Sequence, residues 1–187
     1  MRSITVYCGS STGSNPEYIQ SARDLGHTLA QAGITLVYGG GGIGMMGALA
    51  EACLQSGGQV TGVITRALMQ TESAKKDLID MRVVETMHER KHIMAKLGDA
   101  FIALPGGFGT FEELFEAATW LQLDIHRKPV ALLNAAGYYT PLLAFLRHSV
   151  AEGFIKAPHL EMIQVAENAR DLLNKLNSYK HITISKV

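Results

Sequence analysis

Short apolar, β-branched runs alternate with amphipathic stretches of helical length along the whole chain. Strands are predicted over residues 4–8, 34–38, 60–64, 81–85, 100–104 and 130–133, with a further short one at 163–165. Apolar positions at helical spacing predict helices over residues 16–32, 45–55, 87–97, 111–123, 141–152 and 168–176. Asn15 is a natural cap for the first helix, Pro16 suits its first position, and Gly33 closes it. Residues 66–76 are polar and without period, so a loop is expected there. Strands that are apolar on both faces, alternating with helices, imply a parallel sheet covered on both sides. The predicted fold is therefore α/β, one Rossmann-like doubly wound domain over residues 1–187, with a mostly parallel sheet and helices on both faces. In such sheets ligands bind beyond the carboxyl ends of the strands. The residues that follow strands are thus where chemistry is to be sought.

Three turns after strands are rich in glycine and hydroxyls. The first is Cys8-Gly9-Ser10-Ser11-Thr12-Gly13-Ser14. It offers backbone N–H groups ahead of a helix, a natural cradle for phosphate, but many ordinary strand–helix loops look the same. The second is Gly39-Gly40-Gly41-Gly42-Ile43-Gly44-Met45-Met46-Gly47. Gly39, Gly41 and Gly44 fit G-x-G-x-x-G, as do Gly42, Gly44 and Gly47. The turn follows the second strand rather than the first, however, and the third strand ends Gly62-Val63-Ile64-Thr65 without a ribose-binding acid. A mononucleotide phosphate site is favoured here over a dinucleotide site or a purely structural turn. The third turn is Leu104-Pro105-Gly106-Gly107-Phe108-Gly109-Thr110-Phe111-Glu112-Glu113. Thr110 suits a helix N-cap, with Glu113 placed to complete a capping box. The run of glycines tips this turn toward a ligand site as well.

Bulk composition narrows the classes. Hydrophobic residues make up 47% of the 187 and charged residues 18%, and the formal net charge is zero. A whole-domain basic field for nucleic acid is thereby disfavoured, although a local basic pocket is not. Cys8 and Cys53, the two cysteines, have neither disulfide-scaffold nor zinc-ligand spacing. No apolar run approaches the roughly 20 residues needed to span a bilayer, and a cytoplasmic location is expected. The absence of G-x-x-x-x-G-K-[ST] argues against a P-loop enzyme, and the absence of G-x-S-x-G against an α/β-hydrolase.

Residues 85–92, Glu-Thr-Met-His-Glu-Arg-Lys-His, concentrate charge at a strand–helix junction. Arg90 and Lys91 stand in the first turn of a helix, where cations oppose the helix dipole. An anionic substrate would explain them, since Arg binds phosphate bidentately and Lys adds a point charge. His88 and His92 share a helix face, but no third ligand stands at useful spacing, so no metal is expected.

Pro105-Gly106-Gly107-Phe108-Gly109-Thr110-Phe111-Glu112-Glu113 fits P-G-G-x-G-T-x-x-E, and Met87-His88-Glu89-Arg90-Lys91 resembles the second motif of the same family, LONELY GUY (LOG). The resemblance runs from Ile4 through the turn at residues 39–47 to about Phe154. Members of that family are cytokinin riboside 5′-monophosphate phosphoribohydrolases, and many bacterial ones also cleave AMP. The resemblance implies Arg90 and Glu113 as the catalytic pair, with Lys91, Gly106, Gly107, Gly109 and Thr110 binding the nucleotide phosphate and ribose. Glu72 aligns with a family glutamate that contacts substrate, and Thr119 is a further pocket candidate. Gly9, Ser10, Gly41, Gly42 and Gly44, from the first two turns, complete the expected substrate-binding set. The implied partner is a nucleoside 5′-monophosphate, with no cofactor, no nucleic acid and no membrane, in a homodimer. The older family label, lysine decarboxylase, has no pyridoxal phosphate motif behind it in this chain. Two other classes remain open: a non-catalytic nucleotide sensor or carrier on the same fold, and an NAD-dependent oxidoreductase, which the missing ribose-binding acid disfavours. Base selectivity would rest on apolar residues such as Met45, Met46, Met94, Phe108 and Trp120, which the pattern alone does not place.

Overall fold

The computed structural model of the chain describes residues 1–71 and 80–184. Its elements run β1 (Ser3–Tyr7), α1 (Pro16–Gln31), β2 (Thr35–Tyr38), α2 (Gly44–Gln55), β3 (Val60–Thr65), α3 (Arg66–Thr71), β4 (Asp80–Val84) and α4 (Met87–Leu97). There follow β5 (Ala100–Ala103), α5 (Phe108–Gln122), β6 (Val130–Leu133), a single 3-10 turn (Ala135–Gly137), α6 (Thr140–Ala151), α7 (Ala157–Glu161), β7 (Ile163–Ala166) and α8 (Ala169–Ser178). The strands form one seven-stranded sheet in the order β4-β3-β2-β1-β5-β6-β7. Every neighbouring pair is parallel, the doubly wound arrangement expected from the alternation of elements.

The period-2 geometry of a strand sends alternate side chains to opposite faces, and both faces are buried here. Ile4, Val6, Leu36, Tyr38, Ile102 and Leu133 join the core under α1, α2 and α8. Tyr7, Val37, Val63, Phe101, Ala103 and Leu132 join the core on the other face, with Met94 of α4 and Leu114, Ala117 and Leu121 of α5. Thr5 lies among them, fully buried, and its hydroxyl donates to the Met94 carbonyl at 2.7 Å. That bond removes the cost of a lone buried hydroxyl and ties α4 to the central strand.

Two local expectations change. Residues 66–71 are helical, because Thr65 at the strand end accepts the Leu68 N–H on its hydroxyl at 3.3 Å and so caps a run containing Ala, Leu, Met and Gln; the rest of the expected loop, including Glu72, lies outside the described residues. Helix α5 begins at Phe108 with Gly107 as its extended N-cap, not at Thr110. The reciprocal capping box lies in α4 instead: Thr86 accepts from the Glu89 N–H at 3.1 Å, and Glu89 accepts from the Thr86 N–H at 3.1 Å.

Helices α1 and α2 approach closely at Gly26, where an added Cβ would stand 2.4 Å from the Leu49 carbonyl oxygen and 2.9 Å from the Cys53 nitrogen. Both neighbours are backbone and cannot swing aside. Gly26→Ala should therefore lower the unfolding free energy by about 1–3 kcal/mol, despite alanine's better helix propensity. A urea midpoint equal to or above that of the parent would show that the two helices separate at no cost.

Candidate active site

The chain leaves β1 for β2 on one side, and the later strands continue from β5 on the other. The turns after β1 and β5 consequently diverge, opening a cleft at the switch point of the sheet. The cleft has a volume of about 290 Å³ and is lined by Tyr7, Cys8, Gly9 and Ser10 after β1, Gly39 after β2, Met87, Arg90 and Met94 of α4, and Gly107, Phe108, Gly109, Thr110, Glu112 and Glu113 of the turn and first turns of α5.

Arg90 is 7% exposed. Its Nε donates to the Val63 carbonyl at 3.0 Å and its Nη2 to the Gly39 carbonyl at 3.1 Å, while Nη1 lies 3.8 Å from the Met87 sulfur. The strand register supplies these acceptors. Tyr38 opposite Gly62 is the last matched pair of β2 and β3, so β3 outruns β2 and the Val63 carbonyl faces the space where β2 has ended. Arg90 fills that space. A Cβ on Gly39 would fall 2.2 Å from Nη2, so the absence of a side chain at Gly39 makes room for the guanidinium. A guanidinium has more N–H donors than these contacts use, and it borders the cleft.

Glu113 lines the same cleft. The Cys8 thiol registers both groups: burial pushes it far above the usual thiol range, Glu113 raises it further, and Arg90 pulls it back. Arg90 and Glu113 are thus both near enough to Cys8, on the same cleft, for their charges to act on it. The Tyr7 hydroxyl is likewise held well above its ordinary value, by burial first and then by Glu113, Glu116 and Glu112.

The three turns brace one another. The Gly9 N–H donates to the Pro105 carbonyl at 3.1 Å, and the Met45 and Met46 N–H groups donate to the Ser11 and Gly9 carbonyls at 3.3 Å. The first donors of α2 are therefore spent on the β1 turn. Gly44 has φ +60 and lies so close that a Cβ would come 2.1 Å from the Ser10 carbonyl oxygen. Gly41, Gly42 and Gly44 do not line the cleft; Gly44 seats the second turn against the first, and Gly41 lies against the Met46 side chain. Gly106 is similarly enclosed, between Thr110 and the Gly9 backbone, and its carbonyl accepts from the Tyr138 hydroxyl at 2.5 Å. Gly107 and Gly109 are different: a Cβ on either would meet nothing within 4 Å. Around them the first amides of α5 have no intrahelical partner, and the Phe111 N–H is the first to bond back, to the Gly107 carbonyl at 3.0 Å. Donors at a helix N-terminus beside open space make an anion cradle.

Lys91 does not line the cleft. Its side chain is 12% exposed, and its Nζ lies 2.8 Å from Glu116 and also contacts Glu112. Thr119 is exposed farther along α5 and does not line it either. His88 and His92 are exposed on α4, and among the described residues no group of His, Cys, Asp or Glu could hold a metal ion. Of the apolar candidates, Met46, Met94 and Phe108 line the cleft, with Phe108 92% exposed at its rim, whereas Met45 belongs to the core and Trp120 stands outside the lining. Gly39 and Met87 line the cleft as well, although the sequence named them only as members of a G-x-G-x-x-G match and of the residues 87–91 motif and not as site residues. Gly39's further signal was its position as the first residue beyond a strand end, and Met87's its place one helical turn before Arg90.

Across residues 46–176 the chain matches a family model described as "Possible lysine decarboxylase". It is 51% identical over 176 residues to a probable cytokinin riboside 5′-monophosphate phosphoribohydrolase of Oryza sativa subsp. japonica, covering 94% of this chain and 79% of that protein. A cytokinin riboside 5′-monophosphate phosphoribohydrolase of Arabidopsis thaliana is 48% identical, with 95% and 82% covered. The chain belongs to the LONELY GUY family. Solved structures share the LOG fold at lower identity. The molybdenum cofactor carrier protein of Chlamydomonas reinhardtii superposes with a TM-score of 0.72 at 20% identity, covering 95% of this chain and 98% of that one. The molybdenum cofactor binding protein of Rippkaea orientalis gives 0.71 at 22%, with 94% and 95% covered.

The protonation of the two thiols is open to a chemical test. The thiolate, not the thiol, is the nucleophile; burial holds Cys8 protonated far above neutrality and pushes Cys53 up to about 11. Folded protein at pH 8 should resist iodoacetamide at both positions, and denatured protein should take up label at both. Rapid labelling of Cys8 in the folded state would mean that burial does not hold this thiol protonated at the cleft wall.

Proposed function

We infer that this LOG-family chain hydrolyses the N-glycosidic bond of cytokinin riboside 5′-monophosphates, releasing the free base and ribose 5-phosphate, and that it also accepts AMP. The observation that carries this reading is a buried, carbonyl-anchored Arg90 sharing one cleft with Glu113 and with the open N-terminus of α5. Breaking a ribosyl C–N bond places positive charge on the sugar and negative charge on the leaving base. Glu113 is assigned to the sugar side, where a carboxylate stabilises the oxocarbenium-like centre and takes a proton from the attacking water. Arg90 is assigned to the developing anion or the phosphate, held in place before substrate arrives so that no reorganisation is needed. The amides of Gly107, Phe108 and Gly109 are assigned to the 5′-phosphate, with Gly9, Ser10 and Thr110 completing the wall. Binding energy from that phosphate would then orient the reacting carbon.

A decarboxylase of the pyridoxal phosphate type needs a lysine to form a Schiff base, and among the described residues no lysine lines the cleft. The scheme asks nothing of a metal. The same reading takes residues 1–187 as one domain, the active form as a homodimer and the location as cytoplasmic; among the described residues no helix is long and apolar enough to cross a membrane.

The decisive assay incubates purified protein with isopentenyladenosine 5′-monophosphate, AMP and the two unphosphorylated nucleosides, and separates free base by chromatography. Base should appear from the monophosphates only, and Glu113→Gln, checked for folding by circular dichroism, should lower kcat by about 10²- to 10⁴-fold. Nucleotide binding without any release of base would favour a sensor or carrier.

A further inference from the structure

Lys91 follows Arg90 in sequence, yet the two side chains go different ways. Arg90 turns into the sheet end and the cleft, while Lys91 reaches across to α5. There it meets Glu112, which adjoins Glu113 in sequence, and Glu116 at 2.8 Å. Its side chain is 12% exposed, and that of Glu116 28%. Both carboxylates belong to α5, the helix whose N-terminus faces the open space beside Gly107 and Gly109. To reach a phosphate in the cleft, Nζ would have to leave two carboxylates at once.

We propose that Lys91 is a positioning residue that clamps α4 to α5 through Glu112 and Glu116, thereby setting Arg90 against Glu113, and that it is not a phosphate ligand; this rests on the hydrolase reading above. Two physical effects follow from the clamp. The first is geometric: Arg90 and Lys91 are on α4, Glu112, Glu113 and Glu116 on α5, and the bridged pairs sit immediately beside the proposed catalytic ones. A displacement of about 1 Å at a reacting centre can cost about 10²-fold in rate. The second is electrostatic. Glu112 and Glu113 line the cleft that must admit a phosphate, Glu116 stands one turn farther along α5, and the shared Lys91 ammonium offsets one of the three charges. Burial works against the ammonium, but the hydrogen bonds and charges of Glu112 and Glu116 outweigh it and raise the lysine above its ordinary value.

The test compares Lys91→Met, Lys91→Arg, Glu116→Gln and the Lys91→Met/Glu116→Gln double variant. Each is measured for kcat and KM on isopentenyladenosine 5′-monophosphate, and calorimetrically for binding of ribose 5-phosphate. With a clamp, Lys91→Met lowers kcat by about 10- to 100-fold and leaves KM and ribose 5-phosphate affinity within about twofold. Lys91→Arg recovers most of the rate, since a guanidinium can bridge both carboxylates. The double variant loses no more than the worse single one, as expected for partners in one interaction. Weakening of ribose 5-phosphate binding by about tenfold or more in Lys91→Met, the loss expected when a charged hydrogen bond to phosphate is removed, would overturn the proposal. So would parent-like kinetics in Lys91→Met, which would leave an ordinary surface ion pair. If the parent itself released no base, the hydrolase reading would fail, while the ribose 5-phosphate titration would still decide whether Lys91 touches phosphate.

Discussion

A guanidinium taken out of water loses hydration worth several kcal/mol unless other oxygens replace it. Here the replacement comes from the sheet itself. Strand β2 stops at Tyr38 while β3 runs on to Thr65, and the unmatched carbonyls of Gly39 and Val63 accept the N–H groups of Arg90. The arrangement works only if the backbone at residue 39 carries no side chain, if α4 is docked at the right height, and if β3 keeps its register with β2. The hydroxyl of Thr5 on the Met94 carbonyl holds α4 at that height, and the Thr86–Glu89 capping box fixes where the helix starts. A rigid cation facing the switch point is thus a product of strand lengths as much as of any local motif.

The remaining walls follow from how the turns are tied. The Gly-rich turn after β2 donates its helix amides to the turn after β1, and that turn in turn donates to Pro105 after β5. Hydroxyls of Tyr138 and Tyr139 hold the Gly106 and Leu104 carbonyls from the other side. Backbone donors at the start of α5 are consequently fixed in place while the space next to Gly107 and Gly109 stays open. Preorganised donors of this kind stabilise a charge without having to reorient when it forms. Glu112 and Glu113, just beyond the first turn of α5, would by themselves repel a phosphate. The Lys91 contacts to Glu112 and Glu116 offset that repulsion and join the two helices that carry Arg90 and Glu113.

Much of this was readable in the chain. Alternating apolar runs and amphipathic stretches defined the doubly wound sheet, because a strand buried on both faces has no polar side to show. Asn15, Pro16 and Gly33 marked the first helix by backbone chemistry that is local to it. The turn at residues 105–113 and the charges at residues 85–92 stood out as places where residue choice exceeds what a loop or helix start requires. Short-range signals were less secure where two rules compete. Residues 66–71 looked like a loop by polarity but are helical by propensity and a Thr65 cap. Thr110 looked like a cap, but the glycine at 107 took that place.

The sequence by itself determined the fold class and the end of the sheet at which the cleft lies, since these depend on periodicity; Arg90 and Glu113 were marked by the resemblance of residues 87–91 and 105–113 to the LOG motifs. Only the tertiary structure decided which glycines face open space and which merely let two backbones touch. It also separated Arg90, which enters the cleft, from Lys91, which turns to α5. The reason is that those distinctions depend on strand register and helix docking, contacts between residues tens of positions apart, and neither a motif nor a period carries that information.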